Sequence, residues 1–372
     1  MQTRSPDPVR PPSGSKFSLR DCRNLAETFA IASAGAGLFY LANIPAAFLA
    51  GAMVAVAAAA IAGRPCGVPR PLARACFVIV GLSLGSVVNP ASLRGIAAWP
   101  ISIAAVVAAS ACVTVATTYY LRKVHGWETM TAMFAAVPGA LSQVLAHAVE
   151  EKCDVRGIAV VQSLRVVILT VGVPVALAAL GHGGPTRLAA PPSSLFAAPG
   201  ELAVLVATAL GVGLLLMRTG FPGGLLIGPM TVSAVLHGTE LITVTLPAWA
   251  TIGGMIGLGA ISGSRFTNTS TGLLLTYLGA GLGAFAVAVA VTAAFVLALV
   301  PVLHLPLGDL TVAFSPGAID AMMVLSLALH IDPVFVGAHH IARFFAVSVT
   351  LPVVIRYVRR LRKDGGDDSI VK

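Results

Sequence analysis

The feature that most constrains the fold of this sequence is a stretch that occurs twice. Residues 131–174 align with residues 309–352 at a constant shift of 178, without a gap. The segments 45–53 and 222–230 match in the same way at a shift of 177. The matched positions include Pro138, Gly139, Ala140 and Arg165 in the first copy, and Pro316, Gly317, Ala318 and Arg343 in the second. This period is far longer than that of a solenoid repeat, so the sequence predicts a tandem duplication of about 160 residues per copy.

The composition places both copies in a lipid bilayer. Hydrophobic residues make up 57% of the chain and charged residues only 10%, with a mean hydropathy of +0.90. Apolar runs long enough to span a bilayer recur throughout, which predicts an all-α polytopic membrane protein. The net charge of +9 is best explained by basic loops on the cytoplasmic side, so we expect no direct contact with nucleic acid. The five scattered cysteines form neither a disulfide framework nor a zinc motif.

Five regions follow from the distribution of apolar, basic and Pro/Gly/Ser-rich stretches. They are a disordered basic cytoplasmic tail (1–23), membrane repeat 1 (24–180), a Pro/Gly/Ser-rich connector (181–199), membrane repeat 2 (200–358) and a second basic cytoplasmic tail (359–372). Each repeat contains five continuous apolar spans and one apolar segment interrupted by Pro-Gly. The interrupted segments are 127–151 and 306–330.

Two topologies are open, and they place the basic residues differently. If the interrupted segments cross the membrane, each copy has six spans, the copies are parallel, and several arginines lie outside. If they are re-entrant, each copy has five spans and the second is inverted. In that case 20 of the 24 lysines and arginines are cytoplasmic, since only Arg94 and Arg187 lie outside and Arg165 and Arg343 lie within the membrane. The positive-inside rule favours this inverted 5+5 arrangement, with both termini in the cytoplasm.

The Pro-Gly breaks point to a binding site. Proline lacks an N–H and disfavours helix at the preceding residue, so each break divides its segment into two half-helices. A half-helix that begins inside the membrane presents unpaired N–H groups and a partial positive charge to the protein interior. Inverted-repeat transporters build midplane sites for anions in this way. The alternative is a pair of buried kinks that only permit helix packing.

The repeated arginines have two compatible interpretations. Arg165 and Arg343 each lie eleven residues after an aspartate, about 16 Å along a helix and therefore near the middle of the bilayer. A charge at this depth is costly and must face protein or water. The pair either binds a carboxylate or another anion, or each arginine caps the free carbonyls of its broken segment. The aspartates Asp154 and Asp332 are predicted helix N-caps.

Other polar residues near the breaks complete the predicted site. Asp320, four residues past the second break, is the candidate counter-ion of an arginine or the group that couples H⁺ or Na⁺, and the alternative is a structural partner of Arg343. His340, three residues before Arg343, lies on the same helix face and either relays protons or makes a structural polar contact. The candidate hydrogen-bonding residues of the first copy are Ser142, Gln143 and Gln162.

An enzymatic site finds little support. His330, His339 and His340 are the only candidate metal cluster, but adjacent histidines on one helix face different directions. No phosphate-binding loop, GxSxG or HExxH motif is present. The sequence therefore predicts no catalytic residue, no metal site and no cofactor.

The motifs FAAVPGALS with QSLR, and SPGAID with HHIAR, resemble those of the membrane AbrB-duplication family of bacterial inner-membrane proteins. The resemblance covers nearly the whole chain outside the tails. It implies a bacterial inner-membrane location. Proteins of that family are labelled either regulators of gene expression or ammonia monooxygenases. The family's usual break is Pro-Gly-Gly, with an acidic residue where Asp320 stands. Here Ala140 and Ala318 replace the second glycine.

Together these features predict a secondary transporter or permease for a small anionic or zwitterionic metabolite, with H⁺ or Na⁺ as a coupling ion. Arg165, Arg343 and the Pro-Gly breaks would bind the ligand, and Asp320 or His340 would couple the ion. The alternatives are a membrane sensor that affects gene expression and, third, a metal-dependent monooxygenase. Glycine-rich spans permit close helix contacts within one chain or in a homodimer.

Overall fold

All regular structure in the described part of the chain is helical. The computed structural model describes residues 19–88, 99–139, 141–181 and 198–363. In the first half the helices are α1 (Leu19–Leu41), α2 (Ala47–Ile61), α3 (Arg70–Gly85), α4 (Pro100–His125), α5 (Thr129–Ala136), α6 (Leu141–Glu150) and α7 (Val155–Ala179). In the second half they are α8 (Pro199–Arg218), α9 (Gly224–Gly238), α10 (Ala248–Gly263), α11 (Thr271–Leu303), α12 (Leu307–Phe314), α13 (Ile319–Ala328) and α14 (Pro333–Lys363).

Five of these helices are long and apolar enough to cross a membrane: α4, α7, α8, α11 and α14. The prediction of a helical membrane protein is confirmed at this level. One boundary was wrong, because α1 begins at Leu19 and residues 19–23 of the predicted disordered tail are helical. Asp21 lies in the first turn of α1, where a negative charge favours a helix N-terminus. Residues 1–18, most of the connector (182–197), residues 364–372 and the predicted outer loop arginines Arg94 and Arg187 lie outside the described residues.

Both predicted helix breaks are present. The first lies between Ala136, the last residue of α5, and Leu141, the first of α6. The second lies between Phe314, the last residue of α12, and Ile319, the first of α13. The half-helices contain 8 or 10 residues, so each is about 12–15 Å long, roughly half the thickness of a bilayer core.

The first broken segment enters and leaves at the same end of α7. Before α5, the Trp127 ring packs edge-on against Tyr277 with centroids 5.8 Å apart. The Tyr277 hydroxyl donates to Asp154, the residue just before α7. At the other end of α5, the Ala136 carbonyl meets Arg165 near the middle of α7. Since α6 then ends in the short loop that leads to α7, the two half-helices form a hairpin that reaches only halfway along α7.

The predicted N-caps of α7 and α14 are confirmed. The carboxylate of Asp154 accepts the Gly157 N–H at 3.1 Å. The carboxylate of Asp332 accepts the Val334 N–H at 2.8 Å and the Phe335 N–H at 3.3 Å. These bonds fix where the two arginine-bearing helices begin, and therefore how deep each arginine lies.

Glycines let helices from the two halves pack backbone to backbone. On α3, a Cβ atom on Gly81 would lie 2.4 Å from the Leu226 carbonyl oxygen, and one on Gly85 would lie 2.4 Å from that of Met230. The later residue of α3 contacts the later residue of α9, so α3 and α9 run in the same direction. The matching glycines of α10 make the matching contacts with α2, namely Gly259 with the Leu49 carbonyl and Gly263 with the Met53 carbonyl.

The directions of the other helices follow from their contacts. The hydroxyls of Ser83 on α3 and Thr251 on α10 lie 2.8 Å apart, while Gly257 lies against the Cys76 sulfur. The later residue of α3 contacts the earlier residue of α10, so α3 and α10 are antiparallel. Since α2 runs with α10 and α9 runs with α3, α2 and α9 point in opposite directions.

Backbone conformation also recurs between the halves. Eleven described residues have positive φ, a conformation that non-glycine residues seldom adopt. Ten of them form five pairs separated by 177 or 178 residues. The pairs are Asn43 with Gly220, Ala46 with Gly223, Gly63 with Glu240, Gly126 with His304, and Lys152 with His330.

Candidate functional site

A cavity of about 600 Å³ lies between the two helix breaks. Its lining includes both arginines and matched residues from the two halves. From the first half these are Gly139, Leu141, Gln162, Arg165 and Val166, and from the second Gly317, Ile319, His340, Arg343 and Phe344. The structure thus brings together residues that are 178 positions apart in the sequence.

For each of the remaining lining residues, the counterpart in the other half either does not line the cavity or, as for Ala318 and Asp320, has no described side chain. The α8–α9 turn contributes Gly220, Pro222 and Gly223, and the short 3₁₀ helix after α10 contributes Arg265. Their counterparts in the first half, such as Asn43 and Ala46, do not line the cavity. The others are Phe77, Gln143, Leu145, Leu226, Ala318 and Asp320. The cavity therefore extends from a central region, built equally by both halves, towards the end formed by the α8–α9 turn.

Arg165 holds the first break in place. Its two terminal nitrogens donate to the carbonyl of Ala136 at 3.1 Å and to that of Val137 at 3.2 Å. These carbonyls lie at the C-terminal end of α5, where the interrupted helix provides no following N–H groups. The side chain is buried, and within the described part of the structure its Nε–H has no hydrogen-bond partner. Arg165 thus caps the half-helix while its Nε–H stays unsatisfied.

Arg343 holds the second break in the same manner. Its Nη1 donates to the Ser315 carbonyl at 2.7 Å, and its Nη2 donates to the Gly317 carbonyl at 3.0 Å. Nη2 also lies 2.6 Å from Nδ1 of His340. The interpretation of both arginines as caps of broken-helix carbonyls is therefore confirmed.

Gln162 and His340 have the same role in the two halves, because each contacts a carbonyl of the half-helix that precedes the break. Gln162 Nε2 donates to the Phe134 carbonyl at 2.7 Å, and His340 Nε2 lies 3.1 Å from the Val312 carbonyl. Because a carbonyl can only accept, the His340 proton is on Nε2, and Nδ1 is free to accept from Arg343. The polar contact predicted for His340 is confirmed. With both nitrogens bonded, His340 has no free position for proton relay in this conformation.

Asp320 is the counter-ion of an arginine, but the pairing with Arg343 was wrong, because its partner is Arg265. Its carboxylate lies 3.2 Å from Nη2 of Arg265. The two side chains are 19% and 27% exposed, which puts the ion pair in the wall of the cavity rather than in the core. Arg343 can do without a carboxylate because two carbonyls and a histidine surround its guanidinium. Arg265 was assigned only to a cytoplasmic loop, and no sequence pattern links it to a residue 55 positions away.

Several predicted residues lie near the cavity without lining it. Pro138 and Pro316 are buried within the breaks. Ala140 and the side chain of Ser142 lie outside the described part of the structure. His339 faces away towards α4, where its ring nitrogens lie 2.7 Å from the Phe335 carbonyl and 2.8 Å from the Ser102 hydroxyl. Among the described residues, no three His, Cys, Asp or Glu side chains are placed to share a metal ion.

The cavity carries an excess of positive charge. Three arginines line it (Arg165, Arg265 and Arg343) with one carboxylate, that of Asp320. In the described ranges no carboxylate lies within ion-pair distance of Arg165 or Arg343. The first residues of α6 and α13, Leu141 and Ile319, also lie in its wall, so the positive ends of both half-helices face it. This arrangement suits a small anion or a ligand with an anionic group.

Comparison with known proteins places these features in a family. The model described as "Transition state regulatory protein AbrB" matches residues 48–359. The chain is similar to "Putative regulator AbrB" of Escherichia coli strain K12, with 25% identity over 86% of this chain and 92% of that protein. It is also similar to "Uncharacterized protein YhjN" of Bacillus subtilis strain 168, with 24% identity over 91% of this chain and 94% of that protein. No solved structure matches the chain significantly. Since the family model covers both broken segments and both arginines, this chain belongs to the AbrB family.

Proposed function

We propose that this protein is a secondary transporter or permease for a small metabolite that carries an anionic group. One observation supports the proposal above all others. Two buried arginines, one from each half and neither paired with a carboxylate in the described structure, line one cavity that also receives the N-terminal ends of two half-helices. A permanent charge at this depth is expensive, and carbonyl caps leave it without a negative partner, which an anionic ligand in the cavity would provide.

We further propose that the two halves are inverted copies in a bacterial inner membrane. The opposite directions of α2 and α9, the five matched pairs of positive-φ residues and the matched clamps of Arg165 and Arg343 support this arrangement. The hairpin formed by α5 and α6 supports a re-entrant segment. In this topology both termini are cytoplasmic. The end of the cavity near Arg218 and Arg265 then faces the cytoplasm.

Labelling of single cysteines tests the topology. Lys152 and His330 occupy equivalent exposed positions after the two broken segments, with φ of 57° at each. In a cysteine-free background, we expect Lys152→Cys to react with a membrane-impermeant maleimide only from the cytoplasm, and His330→Cys only from outside. Labelling of both positions from the same side would mean parallel copies and would remove the inverted-repeat argument.

A flux measurement tests transport. Purified protein is screened against small carboxylates, phosphates and zwitterions for thermal stabilisation, and each compound that stabilises it is then tested for uptake into proteoliposomes. We expect concentrative uptake driven by a proton or sodium gradient, and its loss in Arg165→Lys. Unchanged flux of every stabilising compound in the folded variant would show that the site is wrongly assigned.

The Escherichia coli relative is named a regulator, which favours a second candidate function, that of a membrane sensor. A sensor would use the same cavity to bind a signal without moving it. Compounds that stabilise the protein but never enter proteoliposomes, in either direction and with either gradient, would favour the sensor over the transporter.

A further inference from the structure

The two halves of the cavity are not equivalent towards a negative charge. We infer that the anionic group of the ligand, a carboxylate or a similar oxyanion, binds on the Arg165 side, and that Arg343 is a structural clamp. This inference rests on the proposed anion site and specifies which half of it holds the charge.

The first argument concerns unused hydrogen-bond donors. The terminal nitrogens of Arg343 make three contacts, with two carbonyls and Nδ1 of His340. Those of Arg165 make only two, because Gln162 bonds to Phe134 and does not reach the guanidinium. Each guanidinium carries four Nη–H groups, so these contacts with described residues leave two of them unused on Arg165 and one on Arg343. Because Arg165 lines the cavity, an oxyanion there can accept hydrogen bonds from the unused groups.

The second argument concerns charge at the half-helix N-termini. The first turn of α13 carries Asp320, whose carboxylate offsets the positive end of that helix and is paired with Arg265. The first turn of α6 carries no acidic residue. The positive end of α13 is therefore offset by a carboxylate, whereas no acidic residue offsets that of α6, so a negative group is attracted more strongly on the α6 side. The larger number of unused donors and the helix end without an acidic residue both belong to the first half.

Matched lysine variants of the full-length protein test this division. Arg165→Lys and Arg343→Lys preserve charge but remove the fork of donors. The probes are sodium acetate, sodium succinate and sodium phosphate, compared with sodium chloride at equal ionic strength, and the readout is the apparent Tm at rising probe concentration. We expect Arg165→Lys to lower the Tm in chloride less than Arg343→Lys does, because two acceptors rather than three lose their donor, and to weaken the apparent anion affinity about tenfold or more.

Arg343→Lys should show a larger change in Tm and a smaller change in anion affinity than Arg165→Lys. Its Tm in chloride should fall, because Ser315, Gly317 and His340 lose donors, while the apparent anion affinity of the folded fraction changes less than about twofold. His340→Gln provides a milder variant, because it builds the Gln-Arg pair of the first half into the second. It should keep the bond to the Val312 carbonyl and leave the anion response intact.

Each outcome decides the matter. Equal losses of anion affinity in Arg165→Lys and Arg343→Lys, or a larger loss in Arg343→Lys or His340→Gln, would overturn the inference and leave the anion site standing. A wild-type protein that none of the three probes stabilises would overturn the anion site itself, and the inference with it. A selective loss in Arg165→Lys, with the wild type responding, is the expected result.

Discussion

Replacing Arg343 with alanine is expected to lower the stability of this protein more than any other single substitution of a polar residue discussed above. Three acceptors would lose their donor at once: the carbonyls of Ser315 and Gly317, and Nδ1 of His340. Each buried acceptor left unsatisfied costs about 1–3 kcal/mol. Arg343 is only 2% exposed, so water cannot easily replace the guanidinium. We expect either no folded protein or a fall of many degrees in apparent Tm.

The control for this experiment is Arg218→Ala, which removes an exposed arginine at the end of α8. Its apparent Tm should stay near that of the wild type, because exposed charges contribute little to stability. If Arg343→Ala were as stable as Arg218→Ala in the same detergent, the carbonyls of the second break would not depend on the guanidinium.

Gly85→Val is the second substitution with a large expected effect. Even its Cβ atom would lie 2.4 Å from the Met230 carbonyl oxygen, 2.4 Å from the Ser233 Cβ and 2.6 Å from the Ala234 nitrogen. Overpacking of a core costs about 1–3 kcal/mol when side chains can adjust. Here two of the three atoms are backbone atoms of α9, so α3 and α9 must separate. We expect loss of monodisperse protein, or a strongly reduced apparent Tm.

Gly253→Ala on α10 is the matched control, because a Cβ atom there meets nothing within 4 Å. Alanine is a better helix former than glycine, so this variant should be as stable as the wild type or slightly more so. A Gly85→Val protein with the elution profile and Tm of Gly253→Ala would contradict the close approach of α3 and α9.

Much of the helix order was predictable because it follows from local chemistry. Pro138 and Pro316 are each followed by glycine and interrupt their segments, whereas Pro174 and Pro352 lie inside α7 and α14. Asp154 and Asp332 cap the helices that follow them. The depth of Arg165 and Arg343 followed from their distance to those caps. The roles of Gln162 and His340 were also within reach, since both are donors three residues before an arginine.

Partners distant in the chain were not predictable. Asp320 has Arg343 nearby in sequence, but its carboxylate meets Arg265, which a separate helix brings to the cavity wall. Likewise, the glycine-rich spans indicated close helix contacts without indicating which helices make them. Periodicity shows which face of a helix is buried. It does not show which other face covers it.

The packing of α3 against α9 and of α10 against α2 joins helices of opposite halves, and it affects how this sequence can change during evolution. Gly81 lies against Leu226, 145 residues away, and Gly259 lies against Leu49 in the opposite half. The three atoms nearest to a Cβ at Gly81 all belong to α9, so a larger residue there requires a change on α9. Each half is thus part of the selective environment of the other. The sequences of the two halves can diverge, but they must do so together.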